Sequence, residues 1–390
     1  MPNVDYMECF RTGPETLAGK YMRTFWHPVY RSEDLKAGWA KPIRIMSEEF
    51  TLYRGDGRKP HVVGFRCPHR GTQLSLGWIE DDGIRCRYHG WKFDSSGHCV
   101  EQPAEKETFA EKIRIRGCPT VEYLGLIFAY FGEGEPPPLP RYPEWDREDR
   151  WVETYVRPCN FMNNLENDPV HIPFTHRESE FFLMRPIEIP TVIPEETEWG
   201  VLLTTVAGSG RTQYLHFAMP NILCFKESDR DHLCWRVPID DEHHASFQLD
   251  LQHVKDGVEG EAVKKRHAAR SGKLGRPPSE VAEAVLRGEL RIQDIEGPER
   301  ANIVWIQDYA VQSGQGPVEN RRNETLGLSD KPLILQREVW VRELQALADG
   351  TPLKQWTRTE QLAELRSYSH VPEQAPSPLS SPSTTGEREG

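Results

Sequence analysis

Cys67-Pro-His69 and, after sixteen intervening residues, Cys86-Arg-Tyr-His89 set two thiols and two imidazoles in paired order. Two thiolates and two neutral imidazoles are the donors that a [2Fe–2S] cluster of mixed ligation takes, both cysteines on one iron and both histidines on the other. Exchanging two thiolates for neutral rings makes such a cluster easier to reduce, which suits a one-electron relay. The same four donors would also serve a structural zinc ion. The surroundings favour the cluster, because each pair lies in a glycine-punctuated loop, Cys67-Pro-His-Arg-Gly71 and Cys86-Arg-Tyr-His-Gly-Trp91. Such loops let backbone amides approach bridging sulfides closely.

A second constellation follows in Asn164-Leu-Glu-Asn-Asp168-Pro-Val-His171-Ile-Pro-Phe-Thr-His176. Two histidines five residues apart point about 140° apart on an ideal helix and could not share one metal. Pro173 lies between them and must break or bend the helix, which can bring both rings onto one ion. An Fe(II) ion that activates dioxygen takes two imidazoles and one carboxylate and keeps open positions. The carboxylate must come from elsewhere, and Asp308 is the candidate. It lies in the helical stretch Asn302-Ile-Val-Trp-Ile-Gln-Asp308-Tyr-Ala-Val-Gln-Ser, where Val304, Asp308 and Val311 share a stripe. A carboxylate on an apolar stripe is unfavourable unless a metal or a cation compensates it. Asp168, three residues before His171, is placed to accept that ring's far N–H, and a carboxylate there could also reach a cluster histidine.

The elements that must position these groups are mostly short strands. Thr51–Arg54, His61–Phe65 and Gly83–Cys86 read as strands, with turn signals at Asp81–Gly83 and Asp94–Gly97. Leu124–Phe131 closes an N-terminal β unit over 20–135, and the Pro-rich stretch Glu133–Pro140 is the linker. A second unit over 147–350 opens with a strand at Arg150–Val156 and continues with strands near 198–207, 213–227 and 232–252. Residues 258–300 are highly charged with two helix-like stretches, and Lys264–Arg276 holds six basic residues. A helix is expected over Asp330–Asp349, with Pro332 in its first turn and Gly350 past its end. The tail 371–390, rich in Pro, Ser and Thr, should be disordered. The fold class is α+β.

At 390 residues the chain is long enough for two or three cores. No run approaches eighteen apolar residues, so no membrane span is expected, and the N-terminus carries no secretory pattern. The remaining six cysteines are scattered, as expected of reduced thiols in a cytoplasmic protein. A net charge of −12 argues against nucleic acid as a partner.

With both constellations in this order, the chain resembles the Rieske non-heme iron aromatic-ring oxygenases, in their oxygenase-component α subunits. The family's cluster motif is met by Cys67, His69, Cys86 and His89, and its iron motif by Asn164, Asp168, His171 and His176. Within the family it is most similar to the phthalate-dioxygenase-like branch that includes aromatic O-demethylases. The resemblance implies a Rieske domain followed by a helix-grip (START-like) antiparallel-sheet catalytic domain. It implies a [2Fe–2S] cluster on Cys67, His69, Cys86 and His89, and one Fe(II) on His171, His176 and Asp308. Asp168 and Asn164 would serve catalysis, Asp168 as the bridge from His171 to His89 of a neighbouring copy in a trimer or stacked trimers. Oxygenation of a small aromatic substrate with O2 follows, as ring hydroxylation or as O-demethylation through a hemiacetal that collapses to phenol and formaldehyde. No dinucleotide-binding Gly-x-Gly-x2-Gly and no ferredoxin cysteine run is present, so NAD(P)H would act only through a separate reductase or ferredoxin.

Arg177, Arg185, Arg211 and Arg236 are candidate carboxylate clamps for an aromatic acid, each also readable as a structural arginine. His27, His98 and the Asp240–His244 turn read as ordinary structure. Two other function classes remain open: a stand-alone Rieske electron carrier, and a zinc-stabilised binding protein.

Overall fold

The computed structural model describes residues 4–167, 169–179, 189–208, 210–226, 230–253, 261 and 275–356. Helix α1 (Leu17–Met22) starts where the Thr16 hydroxyl accepts from the Gly19 amide. Eleven strands follow: β1 (Trp26–Arg31), β2 (Ala40–Ile45), β3 (Glu48–Arg54), β4 (Pro60–Gly64), β5 (Trp78–Glu80), β6 (Gly83–Arg85), β7 (Lys92–Phe93), β8 (Cys99–Glu101), β9 (Gly117–Cys118), β10 (Thr120–Tyr123) and β11 (Leu126–Tyr130). They form antiparallel sheets in the orders β1-β11-β10, β2-β3-β4-β9 and β5-β6-β7-β8. Leu124 and Gly125, both at positive φ, make the two-residue turn that joins β10 to β11. Asp94 Oδ1 accepts from the Ser96 and His98 amides and so closes the turn between β7 and β8.

The C-terminal part opens with β12 (Trp151–Arg157), α2 (Phe161–Leu165) and α3 (Ile172–Thr175). Strands β13 (Thr191–Glu196), β14 (Gly200–Val206), β15 (Thr212–Ala218), β16 (Ile222–Lys226), β17 (Arg230–Pro238) and β18 (His244–Gln252) come next. Helices α4 (Pro278–Leu286), α5 (Ile303–Ser313) and α6 (Lys331–Asp349) complete the described elements. The strands build one antiparallel sheet in the order β12-β18-β17-β16-β15-β14-β13. The stretches expected as single strands at 213–227 and 232–252 each fold as two. Pro220, which has no N–H to offer a ladder, interrupts the first, and the Asp240–Glu242 turn interrupts the second. Helix α6 begins one residue later than expected and ends at Gly350, which is at φ 66°. The 371–390 tail and most of the Lys264–Arg276 run lie outside the described residues. At the edge of that run, Arg276 pairs with Glu299 at 2.8 Å.

Alternation along β17 and β18 separates two faces of this sheet. Leu233, Trp235 and Val237 line up with Leu249, Phe247 and Ala245 on one face. Trp235 packs edge-on against Phe128 and Tyr142, so that face sits on the N-terminal sheets and one hydrophobic core runs through both halves. The opposite face carries Cys234, Arg236, His244, Ser246 and Gln248, all buried. It looks toward α2 and α5, through Asn164 on Ser246 and through Trp305 against Tyr155.

A buried ion cluster fixes α2 to the rest. Glu166, just past the end of α2, accepts from Arg321 at 2.6 Å and from Arg337 at 2.7 Å, and Glu324 accepts from both arginines. Burial opposes ionisation of Glu166, but the two guanidiniums outweigh it and hold its carboxyl below the usual range. Arg321 also donates to Asn163, which in turn donates to the Gln312 carbonyl near the end of α5. Removing one partner of a buried pair leaves uncompensated charge, so Glu166→Gln should destabilise the fold by about 3 kcal/mol, read from urea midpoints. Because the folded pKa is depressed, this contribution is present at neutral pH and is lost as pH falls through it. The variant should therefore show a flatter stability profile on the acid side.

Candidate metal centres

The two cluster loops repeat one geometry. Cys67 N–H donates to Thr72 O and Gly71 N–H to Cys67 O; in the second loop Cys86 N–H donates to Trp91 O and Gly90 N–H to Cys86 O, with the same spans. Each loop turns at a glycine of positive φ, Gly71 at 75° and Gly90 at 78°, and a Cβ on Gly90 would also strike Pro103. The first loop follows β4 and the second joins β6 to β7, so both hang from short strands over a core that holds Cys67, Cys86 and Trp91.

Both sulfurs are buried, and the imidazoles lie at the rim with ring centroids 4.6 Å apart. His69 stacks on Trp91 at 4.7 Å. Burial, with Cys86 alongside, pushes the Cys67 thiol up to about 12, so the thiolate form requires a cation beside it. Loss of water, with His69 and Arg70 nearby, lowers the pKa of His89 and favours the neutral ligand form. A tetrahedral zinc would draw all four donor atoms within about 4 Å of one another. Among the described residues, the only three or more metal-type donors gathered within 4.8 Å lie elsewhere, so these four fit a two-iron cluster better than one zinc.

That gathered group is His171, His176 and Asp308, whose ligand atoms all lie within 4.8 Å of each other. Asp308 Oδ1 is 3.6 Å from His171 Nε2 and 3.4 Å from His176 Nε2. Pro173 does not bend a helix already carrying both rings. A single 3-10 turn, Pro169–His171, ends where α3 begins, His171 is the residue before α3, and Pro173 occupies its first turn. The change of helix type at His171 brings the rings together, with centroids 5.3 Å apart. Asp308 sits on α5, but its stripe is not the buried one: Val304 and Val311 are exposed, while Ile303, Ile306, Gln307, Tyr309 and Ala310 face inward. Burial works against a charged Asp308, yet hydrogen bonds to His171 and His176 hold its carboxyl far below the usual range. Burial likewise disfavours a charged His176, and Asp308 more than offsets this.

Two residues at this site were not singled out by the sequence. Gln307, fully buried, bonds His176 Nδ1 through Oε1 at 3.0 Å and donates from Nε2 to Glu178 at 2.9 Å. A carboxylate can only accept, so Glu178 fixes the amide, and the amide oxygen fixes the proton of His176 on Nδ1. With Nδ1 committed to Gln307, Nε2 is the nitrogen that faces Asp308: it gives up its proton when a metal ion takes the place between them. Asn167 Nδ2 reaches Asp308 Oδ1 at 3.5 Å. Both flank chosen residues in sequence, yet only folding shows their direction.

Asn164 lies elsewhere. It is buried against the sheet and bonds Tyr155, Ser246 and His244 Nε2, so it belongs to the polar face rather than to the triad. His244 is accordingly not a solvent-facing turn residue: it is fully buried, with Nδ1 on the Cys159 carbonyl. His27 is structural, bonded to the Met22 carbonyl, and His98 belongs to the Asp94 turn. Asp168 and Arg185 lie outside the described residues. Arg177 is exposed beside Glu178, whereas Arg236 is buried and donates to the Tyr155 hydroxyl at 2.9 Å.

Residues 25–122 match the family described as the Rieske [2Fe-2S] domain. The chain is 30% identical over 370 residues to the 5,5'-dehydrodivanillate O-demethylase oxygenase subunit of Sphingobium sp. (strain NBRC 103272 / SYK-6), covering 87% of this chain and 80% of that protein. It is 28% identical over 369 residues to the phenoxybenzoate dioxygenase subunit alpha of Ectopseudomonas oleovorans, covering 86% and 83%. Its fold is similar to that in the reduced complex between oxygenase and ferredoxin in carbazole 1,9a-dioxygenase, with a TM-score of 0.59, 18% identity and coverage of 95% and 100%.

If the Glu178–Gln307 pair sets the tautomer of His176, Gln307→Leu should weaken Co(II) or Fe(II) binding at the triad by about 10- to 100-fold in chelator competition. The visible spectrum of the cluster should be unchanged, and wild-type metal affinity in this variant would refute the assignment.

Proposed function

The chain belongs to the Rieske non-heme iron aromatic-ring oxygenases, as an oxygenase-component α subunit, and from that premise we propose that it oxygenates an aromatic acid. It is an oxygenase with two cofactors, a [2Fe–2S] cluster and a mononuclear iron. The observation that carries the reading is the convergence of His171, His176 and Asp308, downstream of a complete set of cluster donors on the same chain.

In this reading Cys67, His69, Cys86 and His89 hold the cluster, and His171, His176 and Asp308 hold the iron. When bound, the cluster supplies single electrons and the iron supplies the redox chemistry that activates dioxygen. The protein's own share is positioning. Buried Cys67 and Cys86 shield the thiolate side, and the histidines at the rim present the side through which electrons enter and leave. Three protein donors are fewer than six-coordinate iron takes, which leaves room for substrate chemistry beside it. Asp168, which lies outside the described residues, is the residue that the family resemblance assigns to joining His171 with His89 of a neighbouring copy, and that role would make a trimer or stacked trimers the working unit. Electrons come from NAD(P)H through a separate reductase or ferredoxin. The similar carbazole oxygenase fold, seen in complex with a ferredoxin, supports that arrangement. The eight cysteines, none in a disulfide, suit a cytoplasmic setting.

Two named relatives act on dehydrodivanillate and phenoxybenzoate, and this supports an aromatic acid here. O-demethylation replaces a methyl C–H by C–OH, and the hemiacetal releases phenol and formaldehyde. One oxygen atom enters the substrate, and the other leaves as water with two electrons and two protons. Ring hydroxylation is the companion reading, and formaldehyde release on methoxylated benzoates separates the two. The stand-alone electron carrier is not favoured, since a carrier has no use for the triad.

Anaerobically purified protein should hold about three irons and two sulfides per chain. His171→Ala should keep the cluster's visible spectrum and abolish substrate-dependent O2 uptake; uptake at the wild-type rate would remove the triad from the chemistry. Asp168→Ala should keep both metals and lose turnover, and full activity in it would refute the bridge.

A further inference from the structure

The sheet face turned toward α2 and α5 carries two arginines, Arg157 and Arg236, that form no ion pair with a carboxylate among the described residues. Cross-strand register sets Tyr155, Ser246 and Arg236 in one row, with Arg157 two residues beyond Tyr155 on the same face of β12. Both arginine side chains are buried. Arg236 donates through Nη1 to the Tyr155 hydroxyl at 2.9 Å. Arg157 donates to the Gln312 side-chain oxygen and lies over the rings of Tyr155, at 4.8 Å, and Trp305, at 5.1 Å. The Nε of each is buried with no hydrogen-bond partner, and among the described residues neither guanidinium forms an ion pair with a carboxylate.

Phenol, amide oxygen and ring faces soften these charges without cancelling them. Asp308 is the acid whose charge reaches both, and it is already committed to the histidine pair. Glu153 and Asp250 on the same face are engaged with Gln248 and His232, so neither is paired with these two guanidiniums. A guanidinium donates to a carboxylate in two parallel N–H···O bonds, and the unpartnered Nε of Arg236 leaves one such donor unused. Trp305, three residues before Asp308 on α5, links the arginines to the metal-bearing helix.

We propose that Arg236, backed by Arg157, anchors the carboxylate of the aromatic substrate, which gives the guanidinium an acid partner that no described residue gives it. The anchor rests on the aromatic-acid reading above and deepens it, because it selects acids over neutral aromatics of the same shape. Arg236 then acts as a specificity residue, holding the ring by its far end while the reacting carbon lies toward the triad.

The holoenzyme is tested by calorimetry with 3-methoxybenzoate and its neutral counterpart 3-methoxybenzamide. Wild type should bind the acid about 100-fold more tightly than the amide. Arg236→Gln should lose about that factor for the acid and none for the amide, so the preference collapses. Arg236→Lys, which keeps charge without the two-pronged geometry, should recover part of it. Equal binding of acid and amide by wild type, binding of neither, or a preference that survives in Arg236→Gln each overturn the anchor. The wild-type comparison needs no variant, so it stands even if Arg236→Gln fails to fold. O2 uptake driven equally by both probes would sink the anchor and leave the oxygenase standing. Selective binding of the acid without O2 uptake would do the reverse.

Discussion

Everything at the catalytic end depends on one contact: a carboxylate on α5 meeting two imidazoles from a segment more than 130 residues earlier. All three turn a ligand atom toward a common point, with the Gln307 amide oxygen on the far nitrogen of His176. A metal ion there needs that spacing kept, so the surrounding structure must hold the two segments in register. It does so with buried charge. Glu166, Arg321 and Arg337 tie the end of α2 to α6, and Arg321 and Asn163 carry the tie to the end of α5. The element leading into the histidines and the element bearing Asp308 are therefore pinned to the same ions. A buried ion network contributes modest net stability but is costly to break, which suits a device that sets a distance.

The cluster half depends on no such long-range brace. Each loop closes on itself through two backbone hydrogen bonds and one glycine at positive φ, and the second repeats the first. Local closure explains why four residues and their spacing could be read directly from the chain. The order of strands around them adds only the shared floor of Tyr53, Val63, Ile84 and Phe93 beneath both sulfurs.

The triad was legible in its residue types and less so in its reasons. Asp308 was picked as a carboxylate on an apolar stripe, yet Val304 and Val311 on that stripe are exposed. The helical period was right and the direction was wrong, because periodicity tells which residues share a face and not which face is inside. Pro173 reads as a break between the histidines, and in the fold it lies in the first turn of α3, with His171 just before that helix and His176 just after it. Asn164 and His244 show what local context does not reach. Both were judged by local context, one as a site residue and one as a turn, and folding puts them in contact at 2.9 Å. A hydrogen bond across 80 residues leaves no trace in either neighbourhood.

One signal in the chain does announce the interior and is easily missed. In β18 the residues His244, Ser246, Gln248 and Asp250 alternate with Ala245, Phe247, Leu249 and Leu251. In a half-exposed strand that pattern means a polar face in water. Here β17 and β18 lie in the middle of the sheet with both faces covered, so the polar side is buried as well. Burying a polar face is unfavourable unless its groups find partners. Several do so within the sheet, as Gln248 does with Glu153 and Asp250 with His232. The row through Tyr155, Ser246 and Arg236 does not close in the same way, since the Arg236 Nε is left without a partner. That row also lies against α2 and against α5, the helix that carries Asp308.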